Sequence, residues 1–360
     1  MLKPFGNRWS ALTIILLLTI SCGGSGGEAI PKSIILIIAD GMGIGQHTMS
    51  YYYNDRYAPA AFDHVGLMAT HPADRTKVTD SAAGGTAIAT GVKTNRTVVG
   101  LDENNQPVKS VLEFAMSQGM ATGLITTTAI TDATPAAFGA HVPSRYDPHE
   151  IARQMAAAGI TVLFGGGRQY FLSQDDGGEQ EVNLLATMVA RDVQIINSLE
   201  DPIDPGLPVV GLFAMGDMPD APQRTPSLTE MALKAVDILD DDPDGFFLMV
   251  EEEGTDERSH ANEFDATVAA LASLNDLIDA MLAYQKDHPS VLVMLVADHE
   301  TGGWMIREKE GGLRDPYWGT RGHTGNLVPI FATGPGGAVF DGVVDNTFIG
   351  QTLIDYVTAQ

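Results

Sequence analysis

Ser33 to Ala39 (SIILIIA) is a short, wholly apolar, β-branched run set between Pro31 and Asp40-Gly41. Such a run fits a strand buried on both faces, as in a parallel sheet covered by helices. Similar runs recur at Ala121 to Thr127, Thr161 to Phe164, Phe246 to Val250, Val291 to Ala297 and Val328 to Ala332. Helical patterns lie between them. Val108 to Gln118 is stopped by Gly119, Pro148 to Ala158 by Gly159, and Leu228 to Leu239 by a turn beginning at Asp240. Asn262 to Gln285 is the longest, with Val268, Leu271, Leu274, Leu277, Ile278 and Met281 on one face. The alternation predicts an α/β three-layer sandwich, a mostly parallel central sheet with helices on both faces. Residues 172–226 carry the weakest pattern and are expected to form a surface excursion of loops.

The first residues follow another logic. Lys3 and Arg8 precede an apolar stretch from Ala11 to Ile20. That is too short for a membrane span, which needs about 20 residues, and fits the core of a signal peptide. Residues 1–21 are therefore expected to be a signal, 22–31 a flexible tether, and 32–360 a single folded domain. Cys22 is the only cysteine and is followed by Gly-Gly-Ser-Gly-Gly, which resembles a bacterial lipoprotein signal. An ordinary secretory signal cut nearby is the alternative. Either route exports the protein, to the periplasm or cell surface, with a lipid on Cys22 as the expected membrane contact.

Composition excludes some partners. The chain has 21 Lys and Arg against 46 Asp and Glu, a formal charge of −25. A broad grip on duplex nucleic acid needs the opposite sign. A small anionic substrate remains compatible, because a local metal site can outweigh net charge.

In open parallel sheets ligands bind beyond the carboxyl ends of strands. Here one strand ends in Asp40, another in Glu251, and a third in Asp298-His299-Glu300. One such residue is an ordinary cap or turn former. Three converging at one sheet edge suggest a metal site of oxygen and imidazole ligands. Asp256 and His260 follow at a four-residue spacing, on one face if helical, and His323 is a further candidate. Ser81, in Thr79-Asp80-Ser81-Ala82, stands at an apparent helix start. It is either part of a plain cap or a nucleophile activated by a nearby divalent ion.

Six stretches then carry a family resemblance: Lys32 to Gly43 (KSIILIIADGMG), Val78 to Ala87 (VTDSAAGGTA), Thr131 to Arg145 (TDATPAAFGAHVPSR), Phe246 to His260 (FFLMVEEEGTDERSH), Val296 to His299 (VADH) and Gly322 to Gly325 (GHTG). In sequence and order they resemble the alkaline phosphatases, in the compact bacterial form. The resemblance implies a phosphomonoester hydrolase working through a phosphoserine on Ser81. It implies two zinc ions and one magnesium ion. Asp256, His260 and His323 would hold the first zinc, and Asp40, Asp298 and His299 the second. Asp40, Thr134 and Glu251 would hold magnesium, with Asp132 acting on it through water. Arg145 would fork onto the phosphoryl group. Small phosphomonoesters are the expected partners, and a homodimer is one expected assembly. A phosphodiesterase or sulfatase on the same scaffold, or a non-catalytic phosphate- or metal-binding lipoprotein, is the alternative function.

Two departures stand out. Glu257 sits where relatives commonly carry Lys, His or Trp. Only 23 residues separate His299 from His323, which implies an open mouth without a large inserted lobe. Asp240, Asp242, Asp244, Gly245 and Glu251 mimic a calcium loop, but the apolar Phe246 to Val250 leaves its later ligand positions empty, so the acidic run is expected to be a solvated turn.

Overall fold

A computed structural model describes residues 29–308 and 314–359. The expected signal, Cys22 and most of the expected tether lie outside the described residues. Fourteen strands are seen among the described residues. They are β1 (Ser33–Ala39), β2 (His64–Ala69), β3 (Ala121–Ala129), β4 (Val162–Gly166), β5 (Gln194–Ile196), β6 (Val209–Leu212) and β7 (Phe246–Glu252). They continue with β8 (Val291–Val296), β9 (Glu300–Thr301), β10 (Met305–Glu308), β11 (Arg314–Tyr317), β12 (His323–Thr324), β13 (Val328–Thr333) and β14 (Gly342–Asp345). The helices are α1 (Ile44–Tyr53), α2 (Ser81–Thr90), α3 (Val111–Ser117), α4 (Ala133–Gly139) and α5 (Pro148–Ala158). Then come α6 (Leu184–Val189), α7 (Leu228–Leu239), α8 (Gly254–Ala261), α9 (Phe264–Asp287) and α10 (Asn346–Thr358).

Ten strands form one sheet in the order β14-β2-β13-β8-β1-β7-β3-β4-β6-β5. Only β13 runs against its neighbours, pairing antiparallel with both β2 and β8. The middle strands are the apolar runs anticipated from the sequence. Ile34, Ile35, Leu36, Ile37 and Ile38 have no exposed surface at all, and burying each such side chain contributes about 1.5–3 kcal/mol. The helices fall into two groups. Helices α2, α3, α4 and α10 pack among themselves, as do α1, α7, α8 and α9, and members of each group touch β7. Every residue of β7 is buried, so the groups cover opposite faces and the predicted three layers are present.

Local signals set the helix ends. Ser227 caps α7 in a reciprocal box with Glu230, and Asp147 caps α5 ahead of Pro148. Gly159 ends α5 in the left-handed conformation at φ +80°. Helix α9 is long and apolar enough to cross a membrane. Its Leu271, Leu274, Leu277, Ile278 and Met281 are instead buried in the core, facing β7, β8 and the neighbouring helices.

One expectation is corrected. Residues 172–226 are not only a looped excursion. They supply α6 and the strands β5 and β6, which extend the sheet parallel to β4. The strands were hidden because they are three and four residues long and lie in Asp-, Pro- and Gly-rich chain. Strand β13 was anticipated as the run Val328 to Ala332, but its antiparallel direction within the large sheet was not, since composition does not encode direction.

Candidate metal centre and active site

Strands β8, β1, β7 and β3 are neighbours at the middle of the sheet. Their carboxyl ends therefore open side by side, which brings Asp298-His299, Asp40, Glu251 and the segment holding Asp132 and Thr134 to one place. Asp40, Glu251, Asp298 and His299 are fully buried. Gly41 lets the chain turn there. Its φ is +67°, and a Cβ would lie 2.5 Å from Asp256 Oδ1, so any side chain would displace the carboxylate.

Helix α8 puts Asp256 and His260 on one face, with His260 Nε2 3.3 Å from Asp256 Oδ2. The short ribbon β9–β12 delivers His323 to the same spot. His260 Nε2 and His323 Nε2 are 2.9 Å apart. His260 Nδ1 faces Arg321 O at 2.5 Å, and His323 Nδ1 faces Thr79 O at 2.8 Å.

The second group surrounds His299. Its Nε2 is 3.2 Å from Ser81 Oγ, 3.3 Å from Asp40 Oδ1 and 3.4 Å from Asp298 Oδ2. Thr301 Oγ1 sits 3.2 Å from the other ring nitrogen and also donates to Asp256 Oδ1. Asp256 thereby lies between the two imidazole groups, and Asp40, Asp256 and His299 offer ligand atoms within 4.8 Å of one another.

The third group is all oxygen. Thr134 Oγ1 donates to Asp40 Oδ2 at 3.2 Å, and Thr126 Oγ1 to Glu251 Oε2 at 2.5 Å. Asp40, Glu251 and Glu253 bring carboxylate oxygens within 4.8 Å of one another. Asp132 stands at the rim and accepts from Arg145 Nη2 at 2.7 Å. Asp80 Oδ2 lies 3.8 Å from Arg145 Nη1, so the guanidinium is held from two sides.

Ser81 is the first residue of α2, and Asp80 is the cap, accepting from Ala83 N. The plain capping role thus belongs to Asp80. Ser81 is left with its hydroxyl on His299 and only 3% of its surface exposed.

The electrostatics are those of a cation site. Burial, with Asp298, Asp256 and Glu251 nearby, raises Asp40 well above the carboxylate range. Burial pushes Glu251 up to about 8 and raises Glu253 as well, helped by Asp40 and Glu251. Burial would raise Asp256 too, but the hydrogen bond from His260 and the nearby imidazoles outweigh it and hold that carboxyl low. The hydrogen bond to Asp256 lifts His260 to about 9, while burial and His299 press His323 down to about 4. Asp40 Oδ1, Glu251 Oε1 and Asp298 Oδ2 are buried without any hydrogen-bond partner among the described residues. Uncompensated buried charge costs several kcal/mol, and divalent cations would neutralise all three. Imidazole with carboxylate suits zinc, and an all-oxygen set suits magnesium. The donor chemistry fits the ions that the family resemblance implies.

Every candidate from the sequence is therefore in this cluster: Asp40, Ser81, Asp132, Thr134, Arg145, Glu251, Asp256, His260, Asp298, His299 and His323. Glu257 pairs with Arg258 at 2.9 Å. Sequence reasoning missed Glu253 and the hydroxyls of Thr126 and Thr301. Glu253 carried no periodic signal, because it lies just past the end of β7 as the residue that precedes α8.

The alkaline phosphatase family profile matches residues 31–317. The chain is 38% identical to alkaline phosphatase 4 of Bacillus subtilis (strain 168) over 76% of its own length. It spans 62% of that relative's length. It is 30% identical to alkaline phosphatase 3 of the same organism, covering 89% of this chain and 88% of that one. The solved alkaline phosphatase of the Antarctic bacterium TAB5 superposes with a TM-score of 0.84 at 30% identity, over 92% of this chain and 99% of that one. A variant of the TAB5 enzyme is described with magnesium in its M3 site. With profile, relatives and fold in agreement, the chain belongs to the alkaline phosphatase family, a family of metal-dependent phosphatases.

Proposed function

We propose that this protein hydrolyses small phosphomonoesters to inorganic phosphate through a phosphoserine on Ser81, using two zinc ions and one magnesium ion. The observation that carries the reading is the position of Ser81 Oγ, 3.2 Å from His299 Nε2 at the start of α2. Asp256, His260 and His323 hold one zinc, Asp40, Asp298 and His299 the other. Asp40, Thr134 and Glu251 hold magnesium, with Asp132 reaching it through water. When bound, these ions supply the positive charge that favours the ionised serine and neutralises the phosphoryl oxygens.

The protein's own groups do the rest. Ser81 Oγ attacks phosphorus, the ester P–O bond breaks, and the alcohol leaves. Arg145, held by Asp132 and Asp80, aims its remaining N–H groups at two phosphoryl oxygens. The N-terminus of α2 adds a favourable field for that dianion. Water then cleaves the Ser81–phosphate ester, releasing phosphate and restoring the hydroxyl. The transition state is loose, so charge and positioning carry most of the rate.

The catalytic unit in this reading is one domain, residues 32–360. Export through residues 1–21, with lipid attached at Cys22, would place it in the periplasm or at the cell surface. Cys22→Ser should then move the protein from the membrane fraction to the soluble or unprocessed fraction.

The direct test compares zinc- and magnesium-loaded protein on a phosphomonoester, a phosphodiester and a sulfate ester, with acid trapping of labelled Ser81. Fast monoester turnover and label on Ser81 are expected. A preference for the diester or sulfate ester, or turnover without label, would overturn the reading, and no turnover at all would point to a binding protein.

A further inference from the structure

Three consecutive glutamates lie where β7 ends and α8 begins, and the structure sends them in different directions. Glu252 turns toward Arg224, which grips it at 2.8 and 3.1 Å. Glu251 and Glu253, on either side of it, turn toward Asp40, and the three carboxylates come within 4.8 Å. Glu251 is fully buried and Glu253 keeps 8% of its surface. Glu253 also shares a hydrogen bond with Asp40.

A group of acids alone would not make a site. Here Glu251 Oε1 is fully buried with no partner, while Thr126 occupies the other oxygen of the same carboxylate. Asp40 Oδ1 is likewise unpartnered and faces His299. The proposed magnesium set uses only two carboxylates, Asp40 and Glu251, with the Thr134 hydroxyl. It leaves Glu253 with no role beyond its hydrogen bond to Asp40, although a carboxylate is costly to bury.

We propose that Glu253 is a further direct ligand of the third metal ion, so that this site grips its ion with three carboxylates and the Thr134 hydroxyl. The inference rests on the function proposed above. A third carboxylate replaces one of the waters that magnesium otherwise retains. Affinity in oxygen sites rises with the number of charged ligands, so the third ion should be held tightly. Arg145, close enough to interact with Glu253, offsets part of the added negative charge.

The test uses Glu253→Gln in protein carrying two zinc ions. Glutamine keeps the shape and can still donate a hydrogen bond to Asp40, but it offers no anionic oxygen. Calorimetric titration with magnesium chloride, and manganese paramagnetic resonance at the same site, report the third ion independently of turnover. Magnesium affinity should fall at least tenfold, the manganese spectrum should change, and zinc should stay at two per chain. If glutamine costs stability, Glu253→Asp, which keeps the charge but withdraws it by one methylene, should also weaken magnesium. Unchanged magnesium affinity in the glutamine variant would overturn the proposal and leave Glu253 as a hydrogen-bonding prop for Asp40. Wild-type protein that holds two zinc ions and hydrolyses monoesters without taking a third ion would also overturn it, while sparing the proposed monoester hydrolysis through Ser81 but not its magnesium ion. Wild-type protein that takes no zinc and turns over no monoester would overturn both.

Discussion

His260 and His323 meet Nε2 to Nε2 at 2.9 Å, with both Nδ1 atoms turned to backbone carbonyl oxygens. Each Nδ1 is thereby fixed as the donor, so once His260 gives up its extra proton two Nε2 lone pairs face one another beside Asp256. A cation between them satisfies all three groups, and the carbonyls act as the outer partners that orient metal-binding imidazoles. His323→Ala should therefore cut bound zinc from two ions per chain to one after dialysis, with the remaining ion still held near His299. Elemental analysis checks this, and two retained ions would show that His323 is not a ligand.

The same pair predicts how metal uptake follows pH. The hydrogen bond to Asp256 lifts His260 to about 9, and burial holds His323 near 4. At neutral pH the metal-free pair thus carries one proton, which an incoming ion must displace. Apparent zinc affinity should fall by about tenfold for each pH unit below about 9, and one proton should be released per ion bound at that site. Calorimetry in buffers of different ionisation enthalpy measures the proton count. Zinc affinity flat from pH 9 to pH 6 would contradict it.

Ser81→Ala should remove nearly all turnover while leaving the zinc and magnesium content close to wild type. Ser81 is one of several groups around His299 Nε2, and Asp40 and Asp298 remain. The cap is also spared, because Asp80 makes it. Activity loss accompanied by metal loss would mean that the serine holds the site together rather than reacting.

Much of this site was legible because strand ends are legible. An apolar run ending in Asp40, and another in Asp298-His299, give both the strand and the place where its chemistry opens. What no single strand reveals is that β8, β1 and β7 are neighbours, and adjacency is what turns three end residues into one cluster. Thr134, Asp132 and Arg145 came only from the family resemblance, since a threonine or arginine in a loop carries no periodic signal. Glu253 was lost for a different reason. Three glutamates in a row look like one solvated patch, and Glu253 stands between the end of β7 and the start of α8, where no strand alternation applies. Strands β5 and β6 were lost because a run of three or four residues cannot be told from loop by periodicity.

Arg145→Ala should weaken phosphate binding and lower kcat/KM, since charge-assisted hydrogen bonds contribute about 1.5–3 kcal/mol each. Asp80→Asn should have a smaller effect in the same direction. Asp80 Oδ2 sits 3.8 Å from the guanidinium and also accepts from Thr97 N at 2.9 Å. It therefore positions Arg145 rather than touching substrate, and its loss should raise KM more than it lowers kcat. An unchanged inhibition constant for inorganic phosphate in Arg145→Ala would show that the side chain points away from the phosphoryl group.

Glu252 anchors the turn that carries both Glu251 and Glu253, and Arg224 is its counter-charge. The pair is almost fully enclosed, with side-chain exposures of 4% for Arg224 and 0% for Glu252. Ser273 Oγ at 2.9 Å, Gly254 N at 3.1 Å and Thr127 Oγ1 at 3.3 Å complete the carboxylate's shell. Removing one partner of such a pair leaves a buried charge unpaired, which costs about 3–5 kcal/mol. Arg224→Met should lose about that much stability in urea unfolding of the metal-loaded protein. Adding Glu252→Gln should recover a large part, because the stranded charge disappears while an amide can still bond to Ser273 and Thr127. Full stability in Arg224→Met would mean that water reaches Glu252 and that the turn is not pinned. If it is pinned, the single variant should also bind magnesium more weakly than wild type, since Glu251 and Glu253 hang from the loosened residue, and the double variant should regain affinity alongside stability.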